Sequence, residues 1–551
     1  MIRRLVSAAV VTLACIGRPL AFSSDPASWK QVRTPHFTIY SSAGEETARA
    51  TATKLETFRA VLGRITEGLR MKAPVPTVVF VFRNAEEFDP YKGDRSSASR
   101  GSLAGFFLPG PEVNYLAIDS GAAQDSWRVV YHECVHQVLN DSFAKAPLWV
   151  HEGMAEFYST FTCENAVAKI GLPVREHVQW LRRNALIPLS SLFFLRQDSS
   201  DYNETGRVGV FYAESWALAH YLLKGSAERD GQLKVFLRLL ERGQDPVEAF
   251  RSAFKTIYGG LEKELSDYVK NDSFPYTTVD LVELHVPEPE EPRPVAPSEI
   301  LTQLGGLLAR LGEGSAGDAE EHFRKALSFD PNDARAKAGL ASLMRTQKRP
   351  ERASELLEEA EALAPSDTQV LLAKAKDALA RVIGDEGRRF QVSKNPPAEV
   401  LSARDLLKRV LEAEPDNVEA NRELGMVCLL GGEQISVGVE ALEKASRLAP
   451  LRGDVAFTLL QLYARQGNRD KATALLEKGL RRTASPEMLD SAREVLLEID
   501  LKEAESLARQ WKYEEALVIL RRVRDTTQDL SLRERLDESI RRLERATERK
   551  N

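Results

Sequence analysis

The spacing of apolar and polar positions changes along the chain, and each change predicts a different architecture. Phe37, Thr38, Ile39 and Tyr40 alternate as a strand does. Ala50, Leu55, Phe58, Leu62 and Ile65 recur at helical spacing and predict a helix over residues 45–69. Residues 77–82 form a short β-branched and aromatic run, which predicts a buried strand. Residues 105–107 and 114–118 flank Pro109, Gly110 and Pro111, which predicts a hairpin. Two helices are expected over residues 125–139 and 148–160, then a longer helical region to about residue 270. The expectation is one α+β unit over residues 24–275.

Residues 276–299 break this pattern. Prolines and glutamates over residues 286–294 exclude a helix or a central strand and read as a stiff linker. From residue 300 to 551 the chain repeats. Ala319, Phe323, Ala326 and Pro331 set a spacing that returns at Ala353, Leu357, Ala360 and Pro365, 34 residues on. It returns again at Ala403, Leu407, Val410 and Pro415, and at Gly438, Leu442, Ala445 and Pro450. Ala472, Leu476 and Gly479 make a fifth set, and Ala516, Leu520 and Val523 a weaker sixth. This resembles the tetratricopeptide repeat. The resemblance implies an all-α solenoid of antiparallel helix pairs, in which stacking buries what one repeat cannot. It also implies a protein partner on the repeats. The terminal stretch from Arg521 carries both charge signs and reads as a solvated helix.

Charge narrows the function. Lys and Arg total 75 against 81 Asp and Glu, a net charge of -6. Without a basic excess, nucleic acid is a poor expectation for a partner. Arg3 and Arg4 precede an apolar run over residues 5–16, and Ala21, Phe22 and Ser23 offer a cleavage site. Residues 1–23 therefore read as a signal peptide. The run is shorter than the roughly 20 residues a membrane span needs. The mature chain is expected to be exported, periplasmic or extracellular, with no stable membrane insertion. Acylation at Cys15 is the alternative, although Thr12 stands where such signals prefer an aliphatic residue. Cys134, Cys163 and Cys428 would remain, too few and too odd for a disulfide framework.

The candidate chemistry lies at His132, Glu133, Cys134, Val135 and His136. Histidines four apart project from one helix face and can share one Zn2+. Glu133, displaced around the helix, can reach water activated by the metal without binding the metal itself. Trp127, Val130, Val135 and Leu139 supply an apolar face for burial. Cys134 points away from the histidine face and reads as a small buried apolar residue.

A catalytic zinc needs a third protein ligand and one open position. Downstream stand Trp149, Glu152, Gly153, Ala155, Glu156 and Phe157. Together with the histidine motif they resemble gluzincin-type metallopeptidases, whose second helix reads W-x-x-E-G-x-A-E-[YF]. The resemblance implies a gluzincin-like α+β metallopeptidase domain, with Glu152 as third ligand. It implies that Glu156 hydrogen-bonds the far nitrogen of a ligand histidine. Glu156 itself, or His151, remains the alternative third ligand. In related enzymes a later helix supplies a Tyr or His to the oxyanion. Tyr212 is the candidate here, with His220 second. Leu139 and Ser142 exclude the metzincin pattern, which needs Gly and His there. Fifteen residues separate His136 from Glu152, and no G-x-M-E-N stretch precedes the helix, so aminopeptidase specificity is not implied. His36 and His177 have no motif around them and read as structural or surface residues. The resemblance is nearest to exported bacterial peptidase-MA-like proteins that pair such a domain with helical repeats. The expected function is an exported zinc metallopeptidase acting on a peptide or protein substrate. The alternative is a catalytically silent scaffold acting through its repeats.

Overall fold

The computed structural model describes residues 25–93, 104–121, 126–143, 146–195, 207–384, 396–480, 483–527 and 529–550, apart from residues 67, 68 and 72. The expected signal segment and Cys15 lie outside the described residues. No helix among those described is long and apolar enough to cross a membrane.

The N-terminal region is a mixed α/β unit. Its six-stranded sheet contains β1 (Lys30–Arg33), β2 (Phe37–Ser41), β3 (Thr77–Phe82), β4 (Gly105–Leu108), β5 (Asn114–Asp119) and β9 (Arg293–Pro294). The order is β4-β5-β3-β2-β1-β9. The central pairs β2–β3 and β3–β5 are parallel and the outer pairs antiparallel. All six residues of β3 are buried, as its unbroken apolar run predicts. Alternation along the strands sends Ile39, Val79, Val81, Leu116 and Ile118 to one face. There they meet Ala48, Ala52 and Leu55 of α1 (Glu45–Ile65), and Val130 of a helix described below. The other face presents Tyr40, Val78, Phe80, Phe82 and Tyr115. It packs against Ile300, Leu304, Leu307 and Phe323, which belong to the first repeat helices. One apolar core thus joins the sheet to the helical array.

The remaining helices of this region are α2 (Ala85–Phe88), α3 (Ser126–Ser142), α4 (Leu148–Ser159), α5 (Arg175–Arg183), α6 (Leu189–Leu192), α7 (Arg207–His220), α8 (Gln232–Glu241), α9 (Pro246–Phe254) and α10 (Tyr258–Tyr268). The helical region expected after residue 160 begins instead with strands. β6 (Thr162–Glu164) and β7 (Val167–Ile170) form a hairpin, and β8 (Thr277–Asp280) pairs with β7. Asn165 and Ala166 make the tight turn, both with positive φ, at 51° and 62°. β6 is exposed at all three positions and so carries no apolar alternation to reveal it.

The proline-rich stretch is extended, as its composition predicts, but it is docked rather than hanging free. β9 adds an antiparallel edge to β1, the position in a sheet that tolerates proline. Glu290 N donates to Arg33 O at 2.8 Å, and Val295 N to Trp29 O at 3.1 Å.

Beyond it, helices pair as Pro297–Arg310 with Ala316–Phe329, Ala334–Thr346 with Pro350–Leu363, and Thr368–Ile383 with Ala398–Ala413. Val418–Gly431 pairs with Ile435–Leu448, and Gly453–Arg465 with Arg469–Leu475. The phased prolines 331, 365 and 415 each stand two residues before Asp333, Asp367 and Asn417. Those side chains accept backbone N–H groups and cap the next helix. Gly438 explains the small-residue position: a Cβ there would lie 2.6 Å from the Cβ of Cys428 on the neighbouring helix.

Candidate metal centre

Helix α3 is fixed before its polar residues are considered. Val130, Val135 and Leu139 are buried, Val130 against the sheet and the other two in the core that contains α4. This orients His132 and His136 toward α4. Helix α4 is buried along most of its length, with Trp149 fully buried and 4.8 Å from Phe193.

Three donor atoms converge between the helices. His132 Nε2 and His136 Nε2 lie 2.9 Å apart. Glu152 Oε2 lies 3.4 Å from the first and 3.5 Å from the second. A tetrahedral ion with bonds of about 2.1 Å has edges of roughly 3.4 Å, so two imidazoles and a carboxylate at these separations fit a zinc ion. Among the described residues these three form the group with metal-ligand spacing. Glu133 is half-buried on the same helix, next to the first donor.

Glu156 sits one turn beyond Glu152 and behind His132. Its Oε1 is 3.4 Å from His132 Nδ1, the nitrogen that faces away from the donor group. Its Oε2 accepts from Arg128 and lies 3.1 Å from His177 Nε2. Both oxygens are thus engaged outside the donor triangle, which leaves Glu152 as the carboxylate that faces it. His177, expected to be structural or at the surface, instead belongs to this network. Arg128 stands one turn before His132 on α3, which is the signal that identifies it. His177 comes from α5, and nothing local in the sequence marks it.

The electrostatics follow from burial and partners. Burial alone would raise the Glu152 carboxyl, but the bonds and charges of His132 and His136 outweigh it and hold the carboxyl at about 2. Burial likewise opposes ionisation of Glu156, and His177 and Arg128 outweigh it, holding that carboxyl at about 2. Burial lowers His132, yet Glu152, Glu156 and Glu133 leave it raised overall. His151 is pushed down to about 4 by burial and the charge of His136, and it lies outside the donor group. Cys134 is half-buried, and burial drives its thiol up to about 12. Replacing Glu156 with alanine should weaken zinc binding about 10–100-fold, the usual cost of losing a partner behind a ligand histidine. Titration against a competing chelator would measure this.

Gly153 explains why α4 can hold Glu152 where it does. A Cβ at this position would lie 2.2 Å from Ser215 O on α7. The backbones of α4 and α7 therefore touch at the residue after the candidate ligand. Gly153→Ala should destabilise the fold by about 1–3 kcal/mol, because one helix must move away. Denaturant unfolding would register the loss, and zinc affinity should fall with it.

Tyr212 lies on α7 one turn before Ser215, half-buried against the core that includes α4. His220 is elsewhere. It is fully buried, with Nε2 2.9 Å from Gly171 O and Nδ1 2.8 Å from Tyr268 Oη. Both ring nitrogens are committed inside the core, which removes it as a donor to an oxyanion. His36 faces Glu56 at 2.8 Å and is not part of the donor group.

Comparison with known proteins agrees with the repeats and leaves the chemistry open. A model of the tetratricopeptide repeat matches residues 310–376, so the chain carries such repeats. A second family, described as "Protein of unknown function (DUF1570)", matches residues 127–242, the stretch that contains all three donors. No curated protein matches the chain. Solved structures with similarity include YrrB, a repeat protein described as having an unusual peptide-binding site. It is 16% identical, over 35% of this chain and 90% of its own, with a TM-score of 0.28. PilF of Pseudomonas aeruginosa is 19% identical, over 44% and 97%, at 0.30. A thermophilic repeat protein of Thermus thermophilus, TTC0263, is 22% identical, over 36% and 99%, at 0.29.

Proposed function

We propose that this protein is an exported zinc-dependent metallopeptidase of gluzincin type, whose repeats bind substrate or a partner protein. One observation carries the reading: His132, His136 and Glu152 converge at 2.9–3.5 Å, with Glu133 next to His132 on the same helix. His132, His136 and Glu152 would hold the ion. When bound, zinc supplies the Lewis acidity that makes water nucleophilic at neutral pH. Glu133 takes the proton from the attacking water and returns it to the leaving amine. Glu156, with Oε1 3.4 Å from His132 Nδ1, favours the tautomer that carries its proton there, and Arg128 and His177 hold Glu156 in turn. Tyr212 is the residue we assign to hydrogen-bond the oxyanion.

Substrate backbone has a place to pair. β4 is an edge strand of the main sheet and contacts α3. An extended peptide can add to that edge as a further strand. Export rests on residues 1–23, with a soluble periplasmic or extracellular protein as the result.

The repeat match favours one competing reading, a silent peptidase-like scaffold that works through protein contacts alone. Incubating a broad peptide library with zinc-loaded wild type and Glu133→Gln separates the two. Cleavage by wild type alone supports the peptidase. Zinc bound by both with cleavage by neither supports the scaffold.

A further inference from the structure

The helical array does more than extend away from the sheet. A cavity of about 760 Å³ lies between them, walled by Thr38, Tyr40, Val78 and Tyr115 on the sheet side and by successive repeat helices on the other. A second cavity, of about 180 Å³, lies further along. Its walls are the end of β4, the α3 residues Gln137, Asn140 and Asp141, and residues 448–452 of the fourth repeat. The two adjoin at Pro74 and Val75. Gln137 is one turn beyond Glu133, so the second cavity reaches the helix face that carries the candidate base. Arg310 Nη2 donates to Pro109 O at 2.7 Å, and Lys376 pairs with Glu112, so the array is tied to the sheet along this rim.

The chemistry of the lining selects an occupant. Several of its charges are compensated within the protein: Arg335 by Asp367, Asp416 by Lys444, and Glu419 by Arg452 at 3.0 Å. Gln303 and Gln369 offer neutral amides, while the partly exposed Val75, Val113 and Ala373 offer apolar surface. Amides suit a peptide backbone, and apolar patches suit the side chains that alternate along an extended strand. The sheet forms one wall of the groove and the repeat helices the other.

We propose that the sheet and the concave side of the repeats together form one groove for an extended, unfolded polypeptide segment, leading to the Glu133 face of α3. The repeats are then a wall of the substrate path. The endpoint rests on the peptidase reading, whereas binding in the groove does not.

The test uses the full chain carrying Glu133→Gln, so that bound polypeptide stays intact. The probe is fluorescently labelled, reduced and carboxymethylated lactalbumin, which is permanently unfolded, with native lactalbumin as the comparison. Binding of the unfolded form alone is expected. Ser342→Trp with Gln369→Trp, both on the groove wall, should weaken it at least 10-fold, and Glu355→Trp on the outer surface should not. Undiminished binding in the double variant, equal binding of native lactalbumin, or no binding at all would overturn the groove. If the double variant does not fold, a photo-crosslinking amino acid at position 369 replaces it. Capture of the probe there, and none at position 355, is expected; the reverse overturns the proposal. Failure of the peptidase reading gives a different result, in which binding persists but wild type leaves the probe uncut.

Discussion

Replacing Glu133 with glutamine is expected to lower peptide hydrolysis by roughly 10³-fold and to leave one zinc bound per chain. Glutamine keeps the shape and the hydrogen-bonding reach of the side chain. It cannot take a proton from water, and proton transfer of this kind contributes on the order of 10²–10⁴ in rate. The donor atoms belong to His132, His136 and Glu152, so the substitution removes no ligand. The two expectations are linked: turnover should collapse while zinc content and melting temperature stay constant. Steady-state kinetics on one peptide, with metal analysis of the same sample, reads both. Equal turnover in the variant would move the general base elsewhere.

Replacing Glu152 with alanine is expected to empty the site. This carboxylate is the negatively charged donor facing the two imidazoles. The histidines hold it ionised far below neutral pH, so its charge is available under all physiological conditions. Its loss leaves two neutral donors four residues apart on one helix. The fall in zinc affinity should exceed the roughly 10–100-fold that a partner behind a ligand costs. Turnover should vanish with the metal, unlike Glu133→Gln, where metal stays. The fold should persist, because α4 is held by Trp149, Val150 and Phe157, and Glu152 is not part of that apolar packing. Calorimetric zinc titration measures the change. Unaltered affinity would point to Glu156 or His151 as the third ligand.

The parts of this site that were legible in the sequence are local. His132 with His136, and Glu152 with Glu156, are pairs spaced by one helical turn, and a turn keeps two side chains on one face whatever the rest of the chain does. The repeats were legible for a related reason: each small residue and each phased proline acts on its immediate neighbours. What was not legible depends on distant contacts. His177 meets Glu156 only because α5 folds back across α4. The proline-rich stretch announced an extended backbone but not the edge of β1 that receives it. Return of the fourth repeat to the end of β4 and to α3 depends on the curvature accumulated over many helices, and no single repeat encodes it. The hairpin β6–β7 was missed because β6 is exposed throughout and carries no apolar alternation, although Asn165 at its turn was a clue.

The central claim is that a zinc ion held by His132, His136 and Glu152 hydrolyses peptide bonds. The most direct measurement is mass spectrometry of new peptide termini after incubating a broad peptide library with the mature protein, before and after zinc is stripped and restored. The account predicts new termini with the zinc-loaded protein, none after stripping, and their return when one equivalent of zinc is added back. A protein that binds one zinc per chain yet produces no new termini in any of these states would contradict it.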